Sequence, residues 1–218
     1  MDVLDAIKAR NSVRDFRPDT IEKKTVMKIL ETATLSPSGG NGQPWELFVA
    51  AGETMERIRK QYLEQAQNRQ AGLGGAGGPP PQPDYIRERM AVIRKERLEL
   101  LGLDPADPDS GKVFQELGAR LFGVPVLVII CMDGDLTNNL DIGLLIQTLC
   151  LTAQGYGIGS FIAGAFVSQR DILRQELGIP EDLNIITGVG LGYPNNDNIL
   201  NTYRSPRRPI EEVVRYKD

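Results

Sequence analysis

"SPSGGNGQPWELFVAA", residues 36–51, joins two unlike halves. The first ten residues hold two prolines, three glycines and an asparagine, the composition of a loop. The rest is an apolar run that reads as a strand. Small residues such as Ser38, Gly39 and Gly40 leave backbone N–H groups open to close approach. Gln43 and Trp45 are expected to anchor the loop to the strand behind it. The stretch is therefore expected to be a shaped loop presented by an α/β framework.

Upstream, residues 2–9 read as a short helix, and "DTIEKKTVMKILETATLS" as a longer one. Val26, Ile29, Leu30 and Ala33 recur at helical spacing, and Asp19 with Glu22 fits a capping box. Downstream, Met55, Ile58 and Tyr62 share one face of a helix running to about Asn68. "DYIRERMAVIRKERLELLG" reads as a charged helix with Ile86, Met90 and Ile93 on one side and a solvated, ion-paired remainder. "VPVLVIICMD" is apolar throughout, as a central strand would be. "LDIGLLIQTLCLTAQGYG" is apolar nearly all round, so it belongs in a large core or between subunits. "GIGSFIAGAF" and "LNIITGVGLGYP" read as further strands. "SQRDILRQELGIP" reads as a helix with an N-cap serine and Asp171 three residues on. One domain over 1–218 is expected, with a Gly/Pro-rich insertion at about 71–83 and a C-terminal arm at about 195–218.

Composition narrows the chemistry. The chain has 218 residues, a net charge of −4 and no histidine. This removes Ser-His-Asp and Cys-His catalysis and every histidine metal site. No metal site is expected, and nothing points to nucleic acid or membrane partners. Cys131 and Cys150 sit in apolar surroundings and suit buried thiols in a reducing, cytoplasmic setting. "GLGGAG" (Gly72, Gly74, Gly77) matches a dinucleotide fingerprint but lacks the preceding strand and following helix.

One constellation remains. "RNSVRDF" puts Arg10, Ser12 and Arg14 at alternate positions, which in an extended segment places them on one face. Two guanidiniums and a hydroxyl suit a phosphate. A second basic cluster, "RSPRRP", lies in the tail.

These motifs, with "GIGSFIAGAF", "GYP" and "RRPIEEVV" in the same order, resemble those of the FMN-dependent nitroreductase family. The resemblance spans nearly the whole chain. It implies an α+β sandwich, a mostly antiparallel central sheet surrounded by helices, in an intertwined homodimer that binds FMN at its interface. Arg10, Asn11, Ser12 and Arg14 match the flavin segment, with the arginines on the phosphate and the pyrimidine edge. Pro37, Ser38, Gly39 and Asn41 match the loop that lines the flavin from the other subunit, and Gly40 a position beside the substrate. Ile162, Ala163 and Gly164 match the segment along the ring, and Arg207 the tail arginine that returns to the phosphate. Ser205 stands where some members carry a lysine, leaving Arg204 and Arg208 as further tail cations.

The resemblance implies hydride transfer from NAD(P)H through FMN to a nitroaromatic, quinone or similar small acceptor, without a side-chain acid or base. Reductive dehalogenation, flavin degradation and flavin carriage are the alternatives. Ala163, Gly164 and Ala165 offer no hydroxyl of the kind dehalogenating members use. The Gly/Pro insertion is either a tether without a further role or a lid whose flanking helices, through Tyr62, Tyr85 or Arg89, close over the acceptor.

Overall fold

The computed structural model describes residues 1–70, 82–136 and 139–218. Apart from Gln82 and Pro83, the expected Gly/Pro insertion falls outside them, as does the "GLGGAG" match. The helices are α1 (Val3–Ala9), α2 (Lys23–Ala33), α3 (Gly52–Gln70), α4 (Asp84–Leu100), α5 (Lys112–Ala119), α6 (Leu140–Gly155), α7 (Arg170–Leu177), α8 (Ile199–Thr202) and α9 (Ile210–Val213). The strands are β1 (Trp45–Ala51), β2 (Val126–Asp133), β3 (Gly159–Ile162) and β4 (Leu183–Gly192).

Among the described residues the strands form one antiparallel sheet in the order β1-β2-β4-β3. β2 is central and is buried from Val126 to Met132, as its unbroken apolar sequence requires. Its side chains alternate between the two faces. Val126, Val128, Ile130 and Met132 meet α2 and α6 through Ile29, Leu30, Leu145 and Leu149. Leu127, Ile129 and Cys131 meet α3 and α7 through Met55, Ile58, Tyr62 and Leu173. Helices thus cover both faces, the α+β sandwich that the resemblance implies.

Four expectations need correction. The capping box at Asp19 does not form, because α2 begins at Lys23 with no side-chain cap and Asp19 pairs instead with Arg17. Gln169, not Ser168, caps α7, and the Ser168 hydroxyl donates to the Ala165 carbonyl. Helix α4 does not bury a stripe along its length: Met90 is exposed, and Leu98, near the C-terminal end, is the buried residue. Tyr62 is core and not lid. It is buried and its hydroxyl donates to the Phe166 carbonyl at 2.8 Å.

The last strand carries glycines where another layer must come close. A Cβ at Gly188 would lie 2.7 Å from Phe166 Cβ, and one at Gly190 would lie 2.9 Å from Phe166 Cζ. The bare backbone of β4 therefore seats the 3-10 turn Gly164–Val167 directly on the sheet. Phe166 then packs edge-to-face against Phe122 and Phe161.

Candidate functional site

The N-terminal segment runs beside the free edge of β3. Ser12 bridges Ser160 in parallel, and the Val13 N–H donates to the Ser160 carbonyl at 3.1 Å. Arg10, which caps α1, lies two residues before this bridge, and Arg14 two residues after it, against Phe161. Four residues of extended chain separate the two arginines by about 13 Å. One cation therefore stands at each end of an elongated cradle, with Ser12 between them.

The Arg14 end is the more enclosed. Its guanidinium is buried, lies 5.1 Å from the Phe161 ring centroid, and donates from Nη1 to the Ser12 carbonyl at 3.0 Å. Burial, and then repulsion by Arg97, pull its pKa down to about 10, so it stays charged at neutral pH. Arg10 is more open and sits near Cys150, whose thiol is pushed up by burial.

Beyond Ile162 the chain turns away from the edge. Ile162 is 44% exposed, Ala163 is extended, and Gly164 opens the 3-10 turn. The first N–H groups of such a turn have no partner within it. A Cβ built at Gly164 would meet nothing within 4 Å, so open space lies in front of this backbone. Tyr62 and Ser168 hold the turn from behind. A cavity of about 770 Å³ lies beside it, lined by Tyr62, Ala66, Phe114, Gly118 and Ala165.

A residue that sequence reasoning missed locks this half together. Asn201 is buried on α8. Its Oδ1 accepts the Arg14 N–H at 2.7 Å, and its Nδ2 donates to the carbonyls of Asp15 at 2.7 Å and Asn195 at 2.8 Å. Its own carbonyl accepts from Asn11 Nδ2 at 3.0 Å and from Arg204 at 2.8 Å. Arg204 thus shares the Asn201 carbonyl with Asn11 of the N-terminal segment. Arg207 folds onto the carbonyls of Ser205 and Pro206, and Arg208 pairs with Glu212.

The loop that opened the sequence reading belongs to another place. Gly40, Asn41 and Gln43 take left-handed φ values of 56°, 57° and 45°, which glycine adopts freely and which strains Asn41 and Gln43. The loop is tied to the N-terminal part of α6: the Gly39 N–H donates to Asp141 at 3.2 Å, and Ser36 Oγ to Thr148 at 2.7 Å. The Ser38 hydroxyl accepts the Gln43 N–H, while Trp45 is buried as the anchor. From Asp141 to Cys150, where the arginine segment approaches, α6 rises about 14 Å. The tip of the loop thus lies toward the start of α6 while its base reaches Thr148, close to the Cys150 that Arg10 approaches, and one chain carries the predicted site as two groups of residues. Pro37, Ser38, Gly39, Gly40 and Asn41 form one half, and Arg10, Asn11, Ser12, Arg14, Ile162, Ala163 and Gly164 the other.

The Nitroreductase family profile matches residues 7–193, and the chain belongs to that family. It is 31% identical to a 4-nitrobenzoate reductase of Pseudomonas putida, over 99% of this chain and 96% of that protein. It superposes with a TM-score of 0.87, at 26% identity and over the whole of both chains, on the FMN-dependent nitroreductase NfnB of Mycobacterium smegmatis, solved in complex with NADPH. It shares its fold, at a TM-score of 0.90 and 23% identity over both full chains, with an FMN- and NADPH-dependent nitroreductase from a Sphigopyxis strain.

Proposed function

We propose that this chain is a cytoplasmic FMN-dependent oxidoreductase that uses NAD(P)H to reduce nitroaromatic or similar small acceptors, working as a homodimer. The carrying observation is the parallel register of the arginine segment against β3. It sets a cationic end, a hydroxyl and a second guanidinium beside a turn of small residues with open space in front. An elongated ligand with a phosphate at one end and a flat ring at the other fits that cradle. Arg10 and Ser12 would hold the phosphate, Arg14 the pyrimidine edge, and Ile162, Ala163 and Gly164 would lie along the ring.

FMN, when bound, supplies the redox chemistry, taking hydride from NAD(P)H and passing electrons to the acceptor in a second half-reaction. The protein's part is placement and charge. N–H groups at the start of the Gly164–Val167 turn stand ready as donors, and the turn is rigid because Tyr62 and the β4 glycines fix it. No side chain here need act as acid or base. The 770 Å³ cavity beside Ala165 has room for a small aromatic acceptor.

The dimer completes the site. Val3, Leu4 and Ile7 of α1, Met27 of α2, Leu35 just beyond it and Leu140 of α6 are all about half exposed or more. Such a contiguous apolar face favours a partner. A two-fold mate would bring its Pro37–Asn41 loop to the arginine half of this chain. Anaerobic titration of the FMN-loaded protein with NADH and NADPH tests the activity. Rapid bleaching of the flavin followed by reoxidation with a nitroaromatic is expected. A flavin that neither nucleotide reduces would leave only a carrier.

A further inference from the structure

We infer that Arg97, on α4, is a second positive charge at the ring end of the cradle and shares with Arg14 the negative charge that a bound flavin gains on reduction. The inference rests on the flavin reading above and deepens it. Sequence alone gave Arg97 no such role, since it sits inside "RKERLEL", a run that looks solvated and ion-paired.

The structure turns this part of α4 inward. Leu98 is fully buried, and Arg97 is half-buried with its Cζ 5.0 Å from the Tyr203 ring centroid. The neighbouring Glu96 does not form an ion pair with it; its carboxylate accepts the Tyr203 hydroxyl at 2.6 Å. Arg97 Nε is shielded from solvent and has no hydrogen-bond partner among the described residues. Arg14 is its electrostatic neighbour and pairs with no carboxylate among the described residues, its bond going to the Ser12 carbonyl; Arg97 has only the Glu96 carboxylate, held on Tyr203, to offset its charge in part.

Two mutually repelling guanidiniums, one buried and one half-buried, with a single nearby carboxylate that is engaged by Tyr203, are costly to the empty protein. Each stacks on an aromatic ring, which holds the groups in place but supplies no counter-charge. Such a pair gains most when a ligand brings negative charge to it. The register decides which part of the ligand that is. Arg14 stacks on Phe161, one residue before Ile162 and the small-residue turn, whereas Arg10 lies at the other end of the segment, up to about 13 Å away along an extended chain. The Arg14–Arg97 pair therefore faces the ring and not the phosphate. Positive charge there favours the reduced, more negative flavin over the oxidised one.

The test uses the FMN-loaded protein with Arg97→Met and Arg97→Lys. Spectroelectrochemical titration of the bound flavin reads the ratio of affinities for its reduced and oxidised forms. Arg97→Met is expected to lower that ratio about tenfold, which for a two-electron couple is a potential about 30 mV more negative. Arg97→Lys should restore most of it. The melting temperature of the flavin-free protein should hold or rise in Arg97→Met, because a repulsion is removed. The ratio of FMN to riboflavin affinity should not move. An unmoved potential in Arg97→Met overturns the assignment. So does a selective loss of FMN over riboflavin, which would put Arg97 on the phosphate, or collapse of the flavin-free fold in both variants, which would make it a brace for Tyr203. Should the wild-type chain take up no FMN, the flavin reading itself falls and takes this inference with it. Retained FMN with an unmoved potential removes Arg97 alone.

Discussion

Asn201→Ala is the sharpest probe of how the arginine half is held. The substitution removes three hydrogen bonds at once, to the Arg14 N–H and to the carbonyls of Asp15 and Asn195. The Arg14 N–H is left buried without its acceptor, at a cost of about 1–3 kcal/mol. The two carbonyls sit on half-buried residues, where water replaces part of what is lost, so each contributes toward the lower end of about 0.5–1.5 kcal/mol. The expected loss is about 2–4 kcal/mol, large for a single polar residue on a four-residue helix. Urea denaturation of the flavin-free protein gives this directly. Flavin binding, followed by fluorescence quenching, should weaken as well, because the Arg14 backbone loses its fixed position. A stability loss under about 0.5 kcal/mol, with flavin binding unchanged, would refute the clamp.

Three further outcomes are expected. Arg10→Ala should weaken FMN about 10- to 100-fold, from the loss of a charge-assisted bond, and spare riboflavin; equal losses for both ligands would contradict a phosphate at the Arg10 end. Gly190→Ala should cost about 1–3 kcal/mol through overpacking against Phe166 and disturb the turn beside the flavin, visible as a changed absorbance spectrum of bound FMN in a protein with a lowered melting temperature. Burial raises the Cys131 thiol from its usual 9 to about 11, so its share of stability is complete below pH 9 and is lost as pH rises through 11; Cys131→Ala should flatten the decline in melting temperature that sets in above pH 9.

How far the sequence could be read depends on where the information lies. β2 was legible because a strand buried on both faces must be apolar at every position, and β1 because turn residues bound it. The two halves of the site were legible as motifs, since glycine, proline and arginine are chosen for backbone reach and charge. The inward end of α4 was not. Arg97 and Glu96 look like any solvated pair until Tyr203 arrives from more than a hundred residues away. Asn201 carries no local signal either, because the atoms its side chain serves are all backbone groups, and any residue supplies those. The missed caps at α2 and α7 have the opposite cause. Their side chains were right for capping, but Arg17 and the Ala165 carbonyl took them first.

In the homodimer proposed above, each site would take its Pro37–Asn41 loop from one chain and its arginine segment from the other. Genetic complementation follows from that. A chain disabled at Arg14 and a chain disabled in the Pro37–Asn41 loop would each assemble into dead dimers. Co-assembled, they would concentrate both lesions in one site and leave the other intact. With random pairing, half the dimers are hybrids and half the sites in each hybrid are whole, so about one quarter of the sites revive. Two inactive proteins, unfolded and refolded together, would make an active one.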